Sequence, residues 1–159
     1  MIVVSDTSPI HYLILIDQVD LLPRLLGEIV IPEMVYRELQ ADKTPAKIAR
    51  YFENIPDWLS VRENTGIIDD ELSEIDPGER EAILLAEEIA ADGILIDDLA
   101  GRKVARERGL RVLGTLGFLE LAAEEGLIDF LASLSRIKDE GFFISGSLEA
   151  ELRLKHTRL

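Results

Sequence analysis

Three runs of adjacent aliphatic residues, Ile2-Val3-Val4, Ile29-Val30-Ile31 and Gly93-Ile94-Leu95-Ile96, show no alternation of polar and apolar side chains. A strand with one wet face alternates, so uninterrupted runs require cover on both faces, the condition of a parallel sheet between two layers of helix. Arg111-Val112-Leu113 is a fourth, shorter run, and an extended piece falls around residues 58–61. Between the runs lie stretches of helical character at residues 8–15, 17–26, 32–39, 101–108 and 115–125, with one more helix inside 43–64. Asp76-Pro77-Gly78-Glu79 is a strong helix start, a capping residue followed by proline in the first turn, and predicts a helix to about Ala91.

Strands separated by helices imply right-handed crossovers. The expected architecture is therefore a three-layer α/β/α fold with a central parallel sheet, Rossmann-like in plan. Residues 66–75 read as an acidic linker, and residues 129–159 as a helix, a short extended piece at Phe142-Phe143-Ile144 and a second helix. With no repeat, low-complexity tract or convincing boundary, residues 1–159 are expected to form a single domain, a size that needs no disulfide or metal staple.

The formal charge of −14 opposes tight nonspecific binding of nucleic acid, which works by neutralising phosphates with basic side chains. A carboxylate cluster that holds a divalent cation reverses that sign locally. There is no cysteine, which excludes disulfides and thiolate zinc sites and suits a reducing compartment. The apolar stretch at residues 10–16 is too short to span a bilayer and carries His11 and Tyr12, so the expectation is a cytoplasmic protein without a membrane segment.

Ligands of open α/β sheets bind beyond the carboxyl ends of the strands. Asp6 follows the first run there, and Asp97 and Asp98 follow the third. At about 100° per residue, Glu79 projects with Ile83, Ala86 and Ala90, the core face of its helix, whereas Glu81 follows Leu85 and Glu88 along a boundary open to solvent. Glu38 shares a face with Met34 and Val35. Buried carboxylates are costly, and either a cation or a basic partner would relieve them. Each acid has a plainer role on its own: Glu79 in a capping box with Asp76, the aspartates as caps or turn residues, Glu38 in an ion pair. Four acids at one end of one sheet are hard to account for as caps alone.

The motifs Val4-Ser5-Asp6-Thr7-Ser8, Ile31-Pro32-Glu33-Met34-Val35-Tyr36-Arg37-Glu38-Leu39, Gly78-Glu79-Arg80-Glu81-Ala82-Ile83-Leu84-Leu85-Ala86 and Leu95-Ile96-Asp97-Asp98 stand in the order found in PIN domains. With Arg102-Lys103-Val104-Ala105 and Leu110-Arg111-Val112-Leu113-Gly114-Thr115 behind them, the chain resembles that family, of VapC-type toxins and RNA-processing nucleases, over residues 1–125. The tail has no clear match. Glu79 stands where the family commonly has Asp, and the count to Val104-Ala105 favours Asp98 over Asp97 as the final acid.

The resemblance implies a ribonuclease that hydrolyses RNA phosphodiester bonds with Mg²⁺ or Mn²⁺, with Asp6, Glu38, Glu79 and Asp98 catalytic and Asp97 a further candidate ligand. Thr7 or Ser8 would position water or phosphate unless they simply cap a helix, and Arg102 and Lys103 would touch RNA unless they are solvated surface charge. It also implies a possible role as the toxin of a toxin–antitoxin pair, with a small antitoxin as partner. Neither His11, which reads as a packed side chain, nor His156 is needed for this chemistry. The apolar helix at residues 116–127 would suit a homodimer or simply the core. Two other functions compete: a noncatalytic PIN-like module that binds nucleic acid or protein, and another Mg²⁺-dependent phosphohydrolase. Against the latter, Ser8 occupies the place two residues beyond Asp6 where an aspartyl-phosphate phosphatase would carry a second Asp.

Overall fold

The computed structural model describes residues 1–66, 70 and 72–157. Five strands among them, β1 (Ile2–Ser5), β2 (Glu28–Pro32), β3 (Leu59–Arg62), β4 (Gly93–Leu95) and β5 (Val112–Leu113), form one sheet in the order β3-β2-β1-β4-β5. Every pairing is parallel, with Val4 opposite Val30 on one side and Ile94 on the other. The uninterrupted apolar runs have the expected cause. Val3, Ile29, Ile31 and Leu95 enter one core, while Val4, Val30, Ile94 and Ile96 enter a second core on the opposite face.

The first core is covered by α1 (Thr7–Leu15), α2 (Leu21–Leu26), α3 (Glu33–Leu39), α4 (Ala46–Tyr51), α7 (Thr115–Glu124), α8 (Phe130–Asp139) and α9 (Gly146–His156). The second is covered by α5 (Pro77–Glu88) and α6 (Leu99–Glu107), with a 3-10 turn at Leu72–Glu74 contributing buried Leu72. In α7, Phe118 and Leu119 are fully buried in the first core, with Leu116 and Leu121 partly buried against it.

Two local expectations change. The second helix begins at Leu21 rather than near residue 17, because Asp17 takes a left-handed conformation (φ 60°) that turns the chain before a helix can restart. Residues 142–144 pair with no strand; they form the connection between α8 and α9, where Phe142 packs edge-on against Tyr12 with ring centroids 5.0 Å apart. Of the stretch read as an acidic linker, residues 67–69 and 71 lie outside the described residues, as do residues 158 and 159 of the tail.

The strand order reverses between β1 and β4. At such a switch point the connections leave in opposite directions and open a crevice at the carboxyl edge, where ligands of open α/β sheets bind. The helix α3 meets α5 at that edge.

Candidate active site

The register of β1 with β4 determines which side chains open on the crevice. Ser5 lies opposite Leu95, and the Asp6 N–H donates to the Leu95 carbonyl at 2.9 Å, so Asp6 and Asp97 leave adjacent strands side by side. Asp6 is only 7% exposed. It occupies the cap position of α1, yet its side chain makes no capping bond.

The first turn of α1 supplies two hydroxyls to two different acids. Thr7 Oγ1 donates a short hydrogen bond to Glu38 Oε2, and Ser8 Oγ donates to Asp97 Oδ2 at 2.8 Å. Asp97 also accepts the Thr115 N–H at Oδ1 and the Thr115 hydroxyl at Oδ2, both at 2.7 Å. Thr115 is fully buried at the start of α7, so Asp97 is locked between α1 and α7. Thr7 and Ser8, expected to position water or phosphate, here hold carboxylates.

The acidic doublet is divided. Asp98 is exposed and caps α6, its Oδ2 accepting the N–H groups of Ala100 (3.0 Å) and Gly101 (3.3 Å). Its charge still bears on Glu79, while that of Asp97 bears on Asp6. What the spacing count assigns to Asp98, the geometry shares with Asp97.

Glu79, in the first turn of α5, is 8% exposed, as its helical phase requires. Asp76 caps α5 by accepting the Gly78 N–H at 2.9 Å, but Glu79 does not complete a capping box, and its Oε2 is buried without a hydrogen-bond partner. Glu81 is turned aside and accepts from Asn64 Nδ2 at 2.7 Å.

Two glycines lie directly against these carboxylates. A Cβ on Gly78 would stand 2.8 Å from Glu38 Oε1, and one on Gly101 would stand 2.5 Å from Glu79 Oε2. Both lie inside helices, where glycine costs about 1 kcal/mol relative to alanine. The space they leave is filled by carboxylate.

The electrostatics are one-sided. Burial lifts the Asp6 carboxyl from 3.8 to about 7; the Thr7 backbone N–H pulls the other way, and the charges of Glu38, Asp76 and Asp97 add to the rise. Burial also lifts Glu79 from 4.5 to about 8, reinforced by Asp98, Asp6, Asp76 and Glu38. Asp76, which sequence alone presents as a cap, is thus a sixth acid of the cluster. Among the described residues no lysine, arginine or histidine forms an ion pair with any of the six. Nor do three of their side chains already converge as a ligand set around one point. The cluster is a strong negative field, only part of which is tied down by hydroxyl donors.

An oxygen-only donor set, unneutralised charge and an orphaned buried carboxylate oxygen at Glu79 fit a hard divalent cation. The histidines stand apart from the cluster. His11 is half-buried, packed edge-on against Tyr12, with burial lowering its pKa. His156 stacks on Phe130 and contacts Glu120 at 3.1 Å, fastening α9 to α7. Lys103 is exposed on α6, and Arg102 reaches back beside Asp97.

A parallel sheet with acids gathered at its switch point defines an α/β fold of the nuclease-like PIN type. A family model described as a PIN domain matches residues 2–157, and the chain belongs to that family. PIN domains are typically nucleases and generally use divalent metal ions. A PilT N-terminus domain protein from the hyperthermophilic archaeon Sulfolobus solfataricus P2 shares the fold, with a TM-score of 0.51 and 19% identity over 84% of this chain and 94% of that one. No curated protein matches the chain. Among the described residues no helix is long and apolar enough to cross a membrane.

Proposed function

We propose that this protein is a Mg²⁺- or Mn²⁺-dependent endoribonuclease that hydrolyses RNA phosphodiester bonds at the acid cluster around Asp6. The observation that carries the proposal is that Asp6 and Glu79 are buried together among four further acids, with no ion pair to a basic side chain among the described residues. Keeping such charges unpaired is costly, and a structural role would be served better by apolar side chains or an internal arginine.

Asp6, Glu38, Glu79 and Asp97 would hold the metal, with Asp98 adding charge behind Glu79. When bound, the ion lowers the pKa of a coordinated water and offsets charge on the scissile phosphate. The protein's own residues set the stage for this. Asp6 and Glu79, lifted towards neutrality by burial, would have to give up their protons to serve as ligands. Thr7 orients Glu38, while Ser8 and Thr115 orient Asp97, so these carboxylates would lose little further rotational entropy in holding a cation.

The test is cleavage of single-stranded RNA by purified protein with Mn²⁺ or Mg²⁺, with chelator, and by Asp6→Asn and Glu79→Gln. Cleavage is expected only with metal and is expected to fall at least about a hundredfold in either variant. Cleavage that survives chelation, or an Asp6→Asn protein as active as wild type, would sink the proposal.

A further inference from the structure

Arg102 lies half-buried beside Asp97, at the edge of the acid cluster. A Cβ on Gly114 would collide with its Nη1 and would come within 3.2 Å of Asp97 Oδ1, so guanidinium and carboxylate border the same small space. Gly114 is buried, with extended backbone (φ −94°, ψ 174°) that any residue adopts. Conformation does not require glycine there; a side chain would share the room that Arg102 Nη1 occupies and would have to displace it.

Despite this proximity Arg102 forms no ion pair with Asp97 within 4.0 Å. Asp97 is held instead by hydrogen bonds from the Thr115 N–H, Thr115 Oγ1 and Ser8 Oγ. Arg102 Nε is buried with no hydrogen-bond partner among the described residues. An arginine is thus placed half-buried at the edge of the crevice and left without an acid, in a chain with 31 acidic and 17 basic residues. A merely structural guanidinium would be expected to take one of the many carboxylates around it.

We infer that Arg102 binds a phosphate of the RNA strand at the acid cluster, with Gly114 keeping the space in which its guanidinium lies. The inference rests on the nuclease reading above and adds to it the group that draws the substrate in. The overall charge of −14 opposes RNA binding, so a cationic side chain at the crevice adds to what a bound cation would supply there. Guanidinium is suited to this because its planar donors match phosphate oxygens two at a time. Exposed Lys103, one residue on, has no such confinement and serves as the comparison.

The experiment measures binding apart from cleavage. A fluorescent single-stranded RNA is titrated with Asp6→Asn protein, and with the same protein carrying Arg102→Gln, Arg102→Lys or Lys103→Gln, at several salt concentrations with Mg²⁺. Arg102→Gln is expected to weaken binding about tenfold and to reduce the log–log salt slope by about 0.7, the share of one phosphate on a single strand. Arg102→Lys is expected to keep the slope and lose part of the affinity, since charge remains and the fork is gone. Lys103→Gln should bind within about twofold of its parent, because a solvated charge is screened.

Circular dichroism shows whether each variant is folded, and the lysine variant keeps the test open if the glutamine one is not. Unchanged affinity and slope in Arg102→Gln, or an equal loss in Lys103→Gln, would overturn the arginine assignment while metal-dependent cleavage by wild type leaves the nuclease reading intact. Wild-type protein that neither binds nor cuts RNA would remove both.

Discussion

Asp6 makes the metal-free protein pay a pH-dependent penalty that can be worked out in advance. Its carboxyl is lifted from 3.8 to about 7, chiefly by burial. Because the folded value is the higher one, the native state holds a proton that the unfolded chain has already released, and stability falls as pH rises through that window. Below about pH 4 both states are protonated and the penalty vanishes; above about pH 7 it is complete. Roughly two of the three units lie above pH 5, a ceiling of about 3 kcal/mol at about 1.4 kcal/mol per unit. Relaxation and solvent access bring this nearer to about 1.5 kcal/mol. For a domain of this length that is about 3–6 °C in Tm.

Asn carries no charge, so Asp6→Asn removes this contribution together with the share that the Asp6 charge adds to the rise at Glu79. With chelator present, the Tm of Asp6→Asn is expected to gain on wild type by that amount between about pH 5 and pH 8.5. Adding Mn²⁺ at the upper pH should raise wild type and close the gap, because a ligand that binds only the native state stabilises it. Differential scanning fluorimetry reads both effects. A gap that does not widen with pH, or Mn²⁺ that stabilises both proteins equally, would refute the claim that an unneutralised buried carboxylate lies at the centre of the site.

Three further outcomes follow from individual contacts. Gly101→Ala places a methyl 2.5 Å from Glu79 Oε2 and 2.8 Å from Ile96 Cδ1, so it should lower Tm and blunt the Mn²⁺-induced rise, although alanine ordinarily strengthens a helix by about 1 kcal/mol. Thr115→Val keeps the shape but deletes the 2.7 Å bond to Asp97; metal affinity in a fluorimetric titration should weaken by roughly 10–100-fold, with the fold retained. Phe118→Ala empties a fully buried position under α7 and should cost about 3–5 kcal/mol in urea unfolding, with little change in the midpoint expected if α7 were instead an exposed pairing surface.

Sequence determined what depends on neighbours along the chain. Uninterrupted runs such as Ile29-Val30-Ile31 reported a sheet buried on both faces, because side chains alternate between two cores that are both apolar. Helical phase separated inward Glu79 from Glu81, and Asp6 at the end of a strand marked the ligand-bearing edge. Tertiary structure alone decided how the acids relate to one another. Whether Asp97 or Asp98 turns into a hydrogen-bonded network depends on Thr115, 18 residues away, and on Ser8, 89 residues away. The space that Gly78, Gly101 and Gly114 leave for Glu38, Glu79 and Arg102 exists only where separate helices meet. Periodicity says which face a residue is on; the distance between two charges, and hence whether they share a cation or repel, is set by packing between elements that no local pattern encodes.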